Sequence, residues 1–201
     1  MTTKYSLTKS DLSGLKGIIS ETLIRQYVGQ VIIPKLKEEW DFVIGGYPST
    51  TRLISMGLFP NINLRNKMEK LKEILKHSPD GYITKMRKTK ERIGLKDALN
   101  ELGLSSFLHG SWRYGSEDIF VGSEHNENEQ LPVVDGEIEI IEVKSDKARL
   151  HSVQREDYRK AILDGFSIRY FHVKIISFDK NKFEIVEKLI QDISSLIGAD
   201  S

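Results

Sequence analysis

The chain contains no cysteine among its 201 residues. This absence excludes disulfide bonds, zinc–thiolate sites and cysteine nucleophiles. The sequence also lacks any apolar run approaching the ~18 residues of a membrane-spanning helix, and its first residues lack the apolar core of a secretion signal. It therefore predicts a cytoplasmic protein that does not associate with membranes.

Neither sign of charge dominates, because 30 Lys and Arg face 29 Asp and Glu for a net charge of +1. Overall charge predicts no polyanionic partner, so a nucleic-acid surface must come from local segregation. Residues 117–142 contain nine acids and no Lys or Arg, whereas residues 85–92 contain five bases and one acid. With 39% apolar residues, the chain can form a real core, and we expect a single domain over residues 1–201.

The most informative stretch is a predicted strand that ends at Glu142 and Lys144. Residues two apart share one face of a strand, so Ile138 and Ile140 precede these two charges on the same face. A carboxylate beside an ammonium group suits metal-assisted chemistry on phosphate. Taken alone, a Glu-x-Lys pattern after an apolar strand is more often a simple ion pair.

Further acids are candidates for the same site. Asp118 begins a short apolar strand, and a hairpin across residues 122–136 would place it opposite Glu142. Two converging carboxylates predict Mg²⁺ or Mn²⁺ between them, with Lys144 orienting or activating a water. Glu21 borders the apolar stripe of the first predicted helix, where the alternative is an ion pair with Arg25 four residues later.

The order of predicted elements indicates an α/β fold with a mixed sheet flanked by helices. Residues 48–105 differ from the rest and read as a helical insertion with basic helices over 64–75 and 85–102. Gln154 begins the helix that follows Lys144, so its amide can reach the same site. A closing helix is predicted over residues 181–197.

Three segments together resemble the PD-(D/E)XK nucleases, nearest to the VRR-NUC modules and the archaeal Holliday-junction resolvases: Ser116–Val121, Ile140–Lys144 and Arg149–Arg155. The spacing of Lys16, Gly17, Glu21 and Arg25 is similar to the first helix of the resolvases. The resemblance covers roughly residues 17–44 and 107–176. It departs from the family at Glu117, which stands where the motif has proline.

The resemblance implies a restriction-endonuclease-like core of order α-β-β-β-α-β and metal-dependent cleavage of DNA. It implies that Asp118 and Glu142 bind the metal through their carboxylates and Val143 through its carbonyl, with Lys144 as the catalytic lysine. It maps Glu21 onto the acid of the first helix, which would bind a second metal or a metal-bound water. Gln154 corresponds to the glutamine after the lysine.

The predicted DNA contacts are basic side chains: Arg113, Lys85, Arg87, Lys88, Lys90 and Arg92. The alternatives are an ordinary solvated helix face for the last five and packing at a sheet edge for the first.

These observations predict a Mg²⁺- or Mn²⁺-dependent deoxyribonuclease that cuts DNA, with branched or junction DNA among the possible substrates. The resolvase resemblance also implies a homodimer. The alternative function is a DNA-binding or assembly protein that has the nuclease core without its activity.

Overall fold

The computed structural model describes residues 9–103, 111–114, 117–120, 129–146, 148–177 and 182–197. Within these ranges the chain forms seven α-helices, and a π-helical turn over Val28–Ile32 joins the first to the second. The helices are α1 (Lys9–Tyr27), α2 (Ile33–Leu36), α3 (Thr50–Ser55), α4 (Ile62–Ile74), α5 (Leu95–Glu101), α6 (Ser152–Leu163) and α7 (Ile193–Ile197). No helix in these ranges is both long and apolar enough to cross a membrane.

Eight described strands form two sheets: β1 (Phe42–Gly45), β2 (Phe59–Pro60), β3 (Gly81–Gly94), β4 (Ser111–Tyr114), β5 (Glu117–Phe120), β6 (Gln130–Ser145), β7 (Ser167–Ser177) and β8 (Lys182–Ile190). The larger sheet has the order β1-β3-β6-β7-β8, and β2 also pairs with β6. β6 is antiparallel to β3 and parallel to β7, so the sheet is mixed. The fold is therefore α/β, as the sequence predicted.

Helices cover both faces of the central strand β6, which is why its residues from Ile138 to Val143 are all buried. Ile138 and Ile140 pack with residues of α4 and α6 on one face. Ile141 and Val143 pack with residues of α1 on the other. A continuous apolar run is typical of a strand that is buried on both faces.

The predicted basic helix over residues 85–102 is wrong for most of its length, because residues 81–94 form β3 and pair with β6. Lys85 lies directly opposite Glu137 and is within 2.8 Å of both Glu137 and Glu139. Opposite charges on neighbouring strands stabilise their pairing. The basic and acidic stretches of the sequence therefore lie side by side in one sheet, and residues 48–105 are not an all-helical insertion.

Two further predictions about the elements are wrong. β5 pairs with β4 in a separate two-stranded sheet, so the expected pairing of the Asp118 strand with β6 is not formed by its described residues, 117–120. Residues 182–190 form the edge strand β8 instead of a helix, with residues alternating between more and less exposed positions. In both segments the apolar residues fit more than one periodicity, and the pairing partners decide between them.

The close contact between β3 and β6 allows no side chain at Gly136. A Cβ atom there would lie 2.3 Å from the backbone oxygen of Lys85. We expect Gly136→Ala to lower the free energy of unfolding by about 1–3 kcal/mol, because the two strands must separate. Urea denaturation monitored by circular dichroism measures this loss.

Gly14→Ala is the matched control, because a Cβ atom at this exposed position of α1 meets nothing within 4 Å. It should stabilise the protein by about 0.5–1 kcal/mol through the helix preference of alanine. Equal effects of the two substitutions would contradict the close strand contact.

Candidate active site

The site begins where β6 continues beyond the start of β3. Gly81, the first residue of β3, pairs with Ile141, whereas β6 extends to Ser145 and pairs there with β7 on its other edge. The backbone N–H of Val143 instead donates to Oδ2 of Asp80 at 2.6 Å. The N–H and C=O of one strand residue point to the same side, so the Val143 carbonyl also faces this gap.

Glu142 is the buried acid of the site, with 1% of its surface exposed. Lys144 Nζ lies 2.5 Å from its Oε1 atom, and Gln154 Nε2 donates to the same oxygen at 2.9 Å. The hydroxyl of Tyr158 donates to Oε2. Three donors of different chemistry therefore hold one carboxylate at the end of β6.

Gln154 reaches Glu142 because it is also part of the N-terminal cap of α6. Its Oε1 accepts the backbone N–H of His151 at 3.1 Å, and its Nε2 is left to donate to Glu142. These two partners determine which end of the amide is oxygen. The start of α6 is thereby tied to the end of β6.

A chain of hydrogen bonds continues behind Glu142 into the core. His77 Nε2 lies 3.0 Å from the Tyr158 hydroxyl, and His77 Nδ1 lies 2.8 Å from Asp157 Oδ2. The Tyr158 hydroxyl therefore lies between Glu142 and His77, and Asp157 lies at the other ring nitrogen of His77. Burial, and then the charge of Glu142, raise the pKa of Tyr158 far above its ordinary value, so this hydroxyl keeps its proton.

Asp80 carries the clearest electrostatic signal of the site. Partial burial, then the charge of Glu142 and more weakly that of Glu21, raise the pKa of Asp80 to about 6. The hydrogen bond from Val143 and the charge of Lys144 act in the opposite direction without cancelling this effect. The acids are therefore close enough to repel one another, which is the arrangement that a bound cation relieves.

Glu21 reaches the site from α1. It lines a cavity of about 340 Å³ together with Asp80 and Val143, and makes no ion pair with Arg25 among the described contacts. The structure thus joins Glu142, Lys144 and Gln154 by direct contacts, whereas Glu21 and Val143 line the adjoining cavity beside Asp80. All five are predicted site residues.

Asp118 is the predicted metal ligand that does not join this group through the expected hairpin. Its backbone pairs with Arg113 between β5 and β4, in the separate two-stranded sheet. The side chains of Asp118 and Arg113 lie outside the described part of the structure. Their predicted roles in metal and DNA binding therefore stay predictions.

The five basic residues predicted to contact DNA lie on β3 and not on a helix. Lys85 is buried in ion pairs with Glu137 and Glu139, so it does not present a free charge to DNA. The guanidinium of Arg87 lies 4.4 Å from the ring centroid of Trp40, and Lys88 Nζ lies 5.2 Å from that of Phe42. Lys90 and Arg92 are exposed. At ~3.3 Å per residue, these last two lie about 30 Å or more along β3 from Gly81.

The candidate site residue that the sequence analysis missed is Asp80. It had a signal: Pro79 and Asp80 stand immediately before Gly81 and the strand that follows. The interpretation of 85–102 as a helix concealed this signal, because Asp80 then belonged to a turn between two helices. Tyr158, His77 and Asp157 had no detectable signal, since their contacts are long-range.

The donor set fits a hard divalent cation. The carboxylates of Asp80 and Glu142 and the carbonyl of Val143 are oxygen ligands of the kind that Mg²⁺ and Mn²⁺ prefer. Among the described residues, no three His, Asp or Glu side chains already form a metal-binding cluster. Hydrogen bonds from Lys144 and Val143 currently satisfy the two acids, and a cation would take over that role.

Comparison with known proteins adds no assignment: no family model matches the chain, and no curated protein or solved structure is significantly similar to it.

The raised pKa of Asp80 gives a dependence of stability on pH. Aspartate in an unfolded chain titrates near ~3.9, so the folded protein binds more protons between about pH 4 and about pH 6. The contribution of Asp80 to stability therefore falls as pH rises through this window. Asp80→Asn retains an oxygen that can accept from Val143 but carries no charge. We expect it to remove this decline and to raise the melting temperature near neutral pH in EDTA.

Asp192→Asn is the control of opposite sign. Hydrogen bonds from Ser194 and Ser195 lower the pKa of Asp192, so its charge stabilises the folded state at neutral pH. This substitution should lower the melting temperature. A wild-type pH profile in Asp80→Asn would contradict the repulsion between the acids.

The chain of hydrogen bonds from Glu142 to His77 is tested by the substitution Tyr158→Phe. Removing the hydroxyl leaves Glu142 Oε2 and His77 Nε2 without this partner inside the core. We expect a loss of about 1–3 kcal/mol in unfolding free energy, measured by urea denaturation in the absence of metal. Tyr47→Phe is the matched control: its hydroxyl donates to the Met68 carbonyl over a long 3.4 Å, so a smaller loss is expected. Equal losses would show that the Tyr158 hydroxyl is not important.

Proposed function

We propose that this protein is a metal-dependent deoxyribonuclease of the PD-(D/E)XK type, with Asp80 as the aspartate of the motif. The elements α1, β1, β3, β6, α6 and β7 follow one another in the order α-β-β-β-α-β that such a restriction-endonuclease-like core requires. Pro79 precedes Asp80, so the motif proline that is missing before Asp118 is present here.

The observation that carries this proposal is the bond from the Val143 N–H to Asp80 beside Glu142 and Lys144. It brings the proline–aspartate pair within one hydrogen bond of the Glu-Val-Lys segment, although 63 positions separate Asp80 from Val143 in the sequence. Residues this far apart in the sequence are not brought together by local structure, so the contact depends on the tertiary fold. A purely structural ion pair between Glu142 and Lys144 does not require a second acid at the same place.

In this proposal Asp80, Glu142 and the Val143 carbonyl hold the cation, and Glu21 supplies a further carboxylate on the side of α1. A bound Mg²⁺ or Mn²⁺ would polarise a phosphate oxygen and lower the pKa of the attacking water. Lys144 stabilises negative charge that develops on the phosphate, because its ammonium group is held at the same carboxylate. Gln154 and Tyr158 fix the direction of the Glu142 carboxylate.

DNA is the proposed substrate, and the resemblance to resolvases keeps branched DNA among the structures to be tested. A homodimer is a prediction from the same resemblance. The basic residues of β3 do not support DNA binding next to the site, because most of them contact other side chains or lie far from Asp80.

The proposal is tested by cleavage of labelled single-stranded, duplex, flap and four-way-junction DNA in Mn²⁺. Asp80→Asn and Glu142→Gln should each reduce cleavage by more than the roughly 10–100-fold that loss of an outer metal-site partner costs. Asp118→Asn tests which of the two candidate aspartates binds the metal. This variant should retain activity. Asp164→Asn, at an exposed position on the opposite end of the sheet, serves as a surface control.

Activity that survives in Glu142→Gln would refute the proposed site. Loss of cleavage in Asp118→Asn, with full activity in Asp80→Asn, would indicate that Asp118 is the aspartate that binds the metal, as first predicted. Salt-dependent DNA binding by the wild type without any heat of Mn²⁺ binding would favour the alternative, a DNA-binding protein without nuclease activity.

A further inference from the structure

The cavity beside the candidate metal site contains two arginines as well as two acids. It lies between α1 and the ends of β1 and β3, and Arg25 and Arg52 line it together with Glu21 and Asp80. Neither arginine forms an ion pair with a described residue, and neither acid neutralises them at contact distance. Two positive charges thus lie beside the acids of the cavity, and no ion pair among the described residues neutralises them.

Arg52 is held in place by the loop after β1. Its Nη2 donates to the Gly45 carbonyl at 3.0 Å and its Nη1 to the Tyr47 carbonyl at 3.4 Å. Between these residues, Gly46 has a φ of +92°. A Cβ atom at Gly46 would lie 2.7 Å from Nη1 of Arg52, so this glycine makes room for the guanidinium.

The hydrogen-bonding capacity of Arg52 exceeds what the loop uses. A guanidinium has five N–H donors in a planar fork, and two carbonyls account for only part of them. The remaining donors match the oxygens of a phosphate, for which arginine provides paired bonds. A residue that only closed the loop would not need to line the cavity.

The other walls of the cavity are suited to a base or a sugar. Tyr82, Ile24 and Val28 contribute ring and aliphatic surface to it. A volume of about 340 Å³ accommodates a small ligand such as one nucleotide. A double helix, with two paired strands, does not fit into a cavity of this size.

We propose that this cavity binds one unpaired nucleotide of the DNA strand next to the phosphate that is cut, and that Arg52 binds its phosphate group. The inference rests on the proposed nuclease function and deepens it, because it assigns the substrate class: DNA that is single-stranded at the site of cleavage. Arg25, on the facing helix α1, supplies a second positive charge to the same strand.

The test is fluorescence anisotropy with a labelled single-stranded oligonucleotide and with the blunt duplex of the same sequence. Ca²⁺ replaces Mn²⁺ in this assay so that DNA binding is measured without cleavage. Ca²⁺ also binds oxygen ligands but has a looser geometry. The wild type should bind the single strand more tightly than the duplex. Arg52→Ala should weaken single-strand binding about tenfold or more, as expected for a lost charged hydrogen bond.

The salt dependence gives a second readout. Each phosphate contact that is lost should reduce the slope of log affinity against log salt by about 0.7 for a single strand. Arg52→Lys keeps the charge but loses the fork, so it should retain most of the slope and show intermediate affinity. Gly46→Ala should weaken binding like Arg52→Ala, because its Cβ atom displaces the guanidinium.

Arg159→Gln is the matched control, since this arginine is exposed on α6 and its ion pair among the described residues is with Glu156. It should bind both DNA forms as the wild type does. Thermal unfolding checks that each variant is folded. If Arg52→Ala and Gly46→Ala do not fold, the affinity of Arg52→Lys for the single strand tests the inference.

Mn²⁺ calorimetry separates failure of this inference from failure of the proposed function. Normal Mn²⁺ binding with wild-type single-strand affinity in Arg52→Ala and Arg52→Lys would overturn the inference and leave the metal site intact. Equal affinity of the wild type for single strand and duplex would also overturn it. Absence of Mn²⁺ binding by the wild type would remove the metal site and this inference with it.

Discussion

The difference in length between β3 and β6 is the constraint on which the candidate site depends. β3 begins opposite Ile141, and β6 continues for four residues with a free edge on that side. A backbone N–H at such an edge needs an acceptor, and for Val143 the acceptor is the carboxylate of Asp80. The same gap exposes the Val143 carbonyl and brings Asp80 next to Glu142. An ordinary requirement of sheet structure thereby assembles three oxygen donors from β6 and the turn before β3.

The turn before β3 is held against α6, and this contact places Asp80. Asp157 Oδ2 accepts the backbone N–H of Lys76 at 2.9 Å and also binds His77. Burial works against the charge of Asp157, but the bonds from His77 and Lys76 lower its pKa overall, so it remains an acceptor. His77 in turn contacts the hydroxyl of Tyr158, and this hydroxyl donates to Glu142. One hydrogen-bonded chain therefore sets the position of the turn and the direction of the buried acid together, and loss of either end affects both.

Charge segregation in the sequence is used mainly to pair strands. Lys85 and Arg169 contact Glu139 from the two neighbouring strands, and this acid is 1% exposed. Burial opposes its charge, but the bonds from Arg169 and Lys85 lower the pKa of Glu139 overall. Breaking such a group is costly, because a charge remains buried without its partner. The acidic and basic stretches thus determine the neighbours of β6 and leave few free bases near the site. Besides Lys144, which pairs with Glu142, Arg25 and Arg52 are the basic side chains that line the cavity beside the candidate site.

The sequence alone determined the α/β class, β6 with Glu142 and Lys144 at its end, and α6 with Gln154 in its first turn. These features depend on local periodicity and spacing, which a sequence expresses directly. It did not determine that residues 81–94 form a strand, because Lys and Arg favour helices until their stems pack on Trp40 and Phe42 and their charges meet Glu137 and Glu139. Nor did it point to Asp80, whose approach to β6 depends on the pairing of β3 with β6. Strand pairing is a long-range interaction, so only the tertiary structure shows that the Asp80 carboxylate accepts the Val143 N–H at the edge of β6.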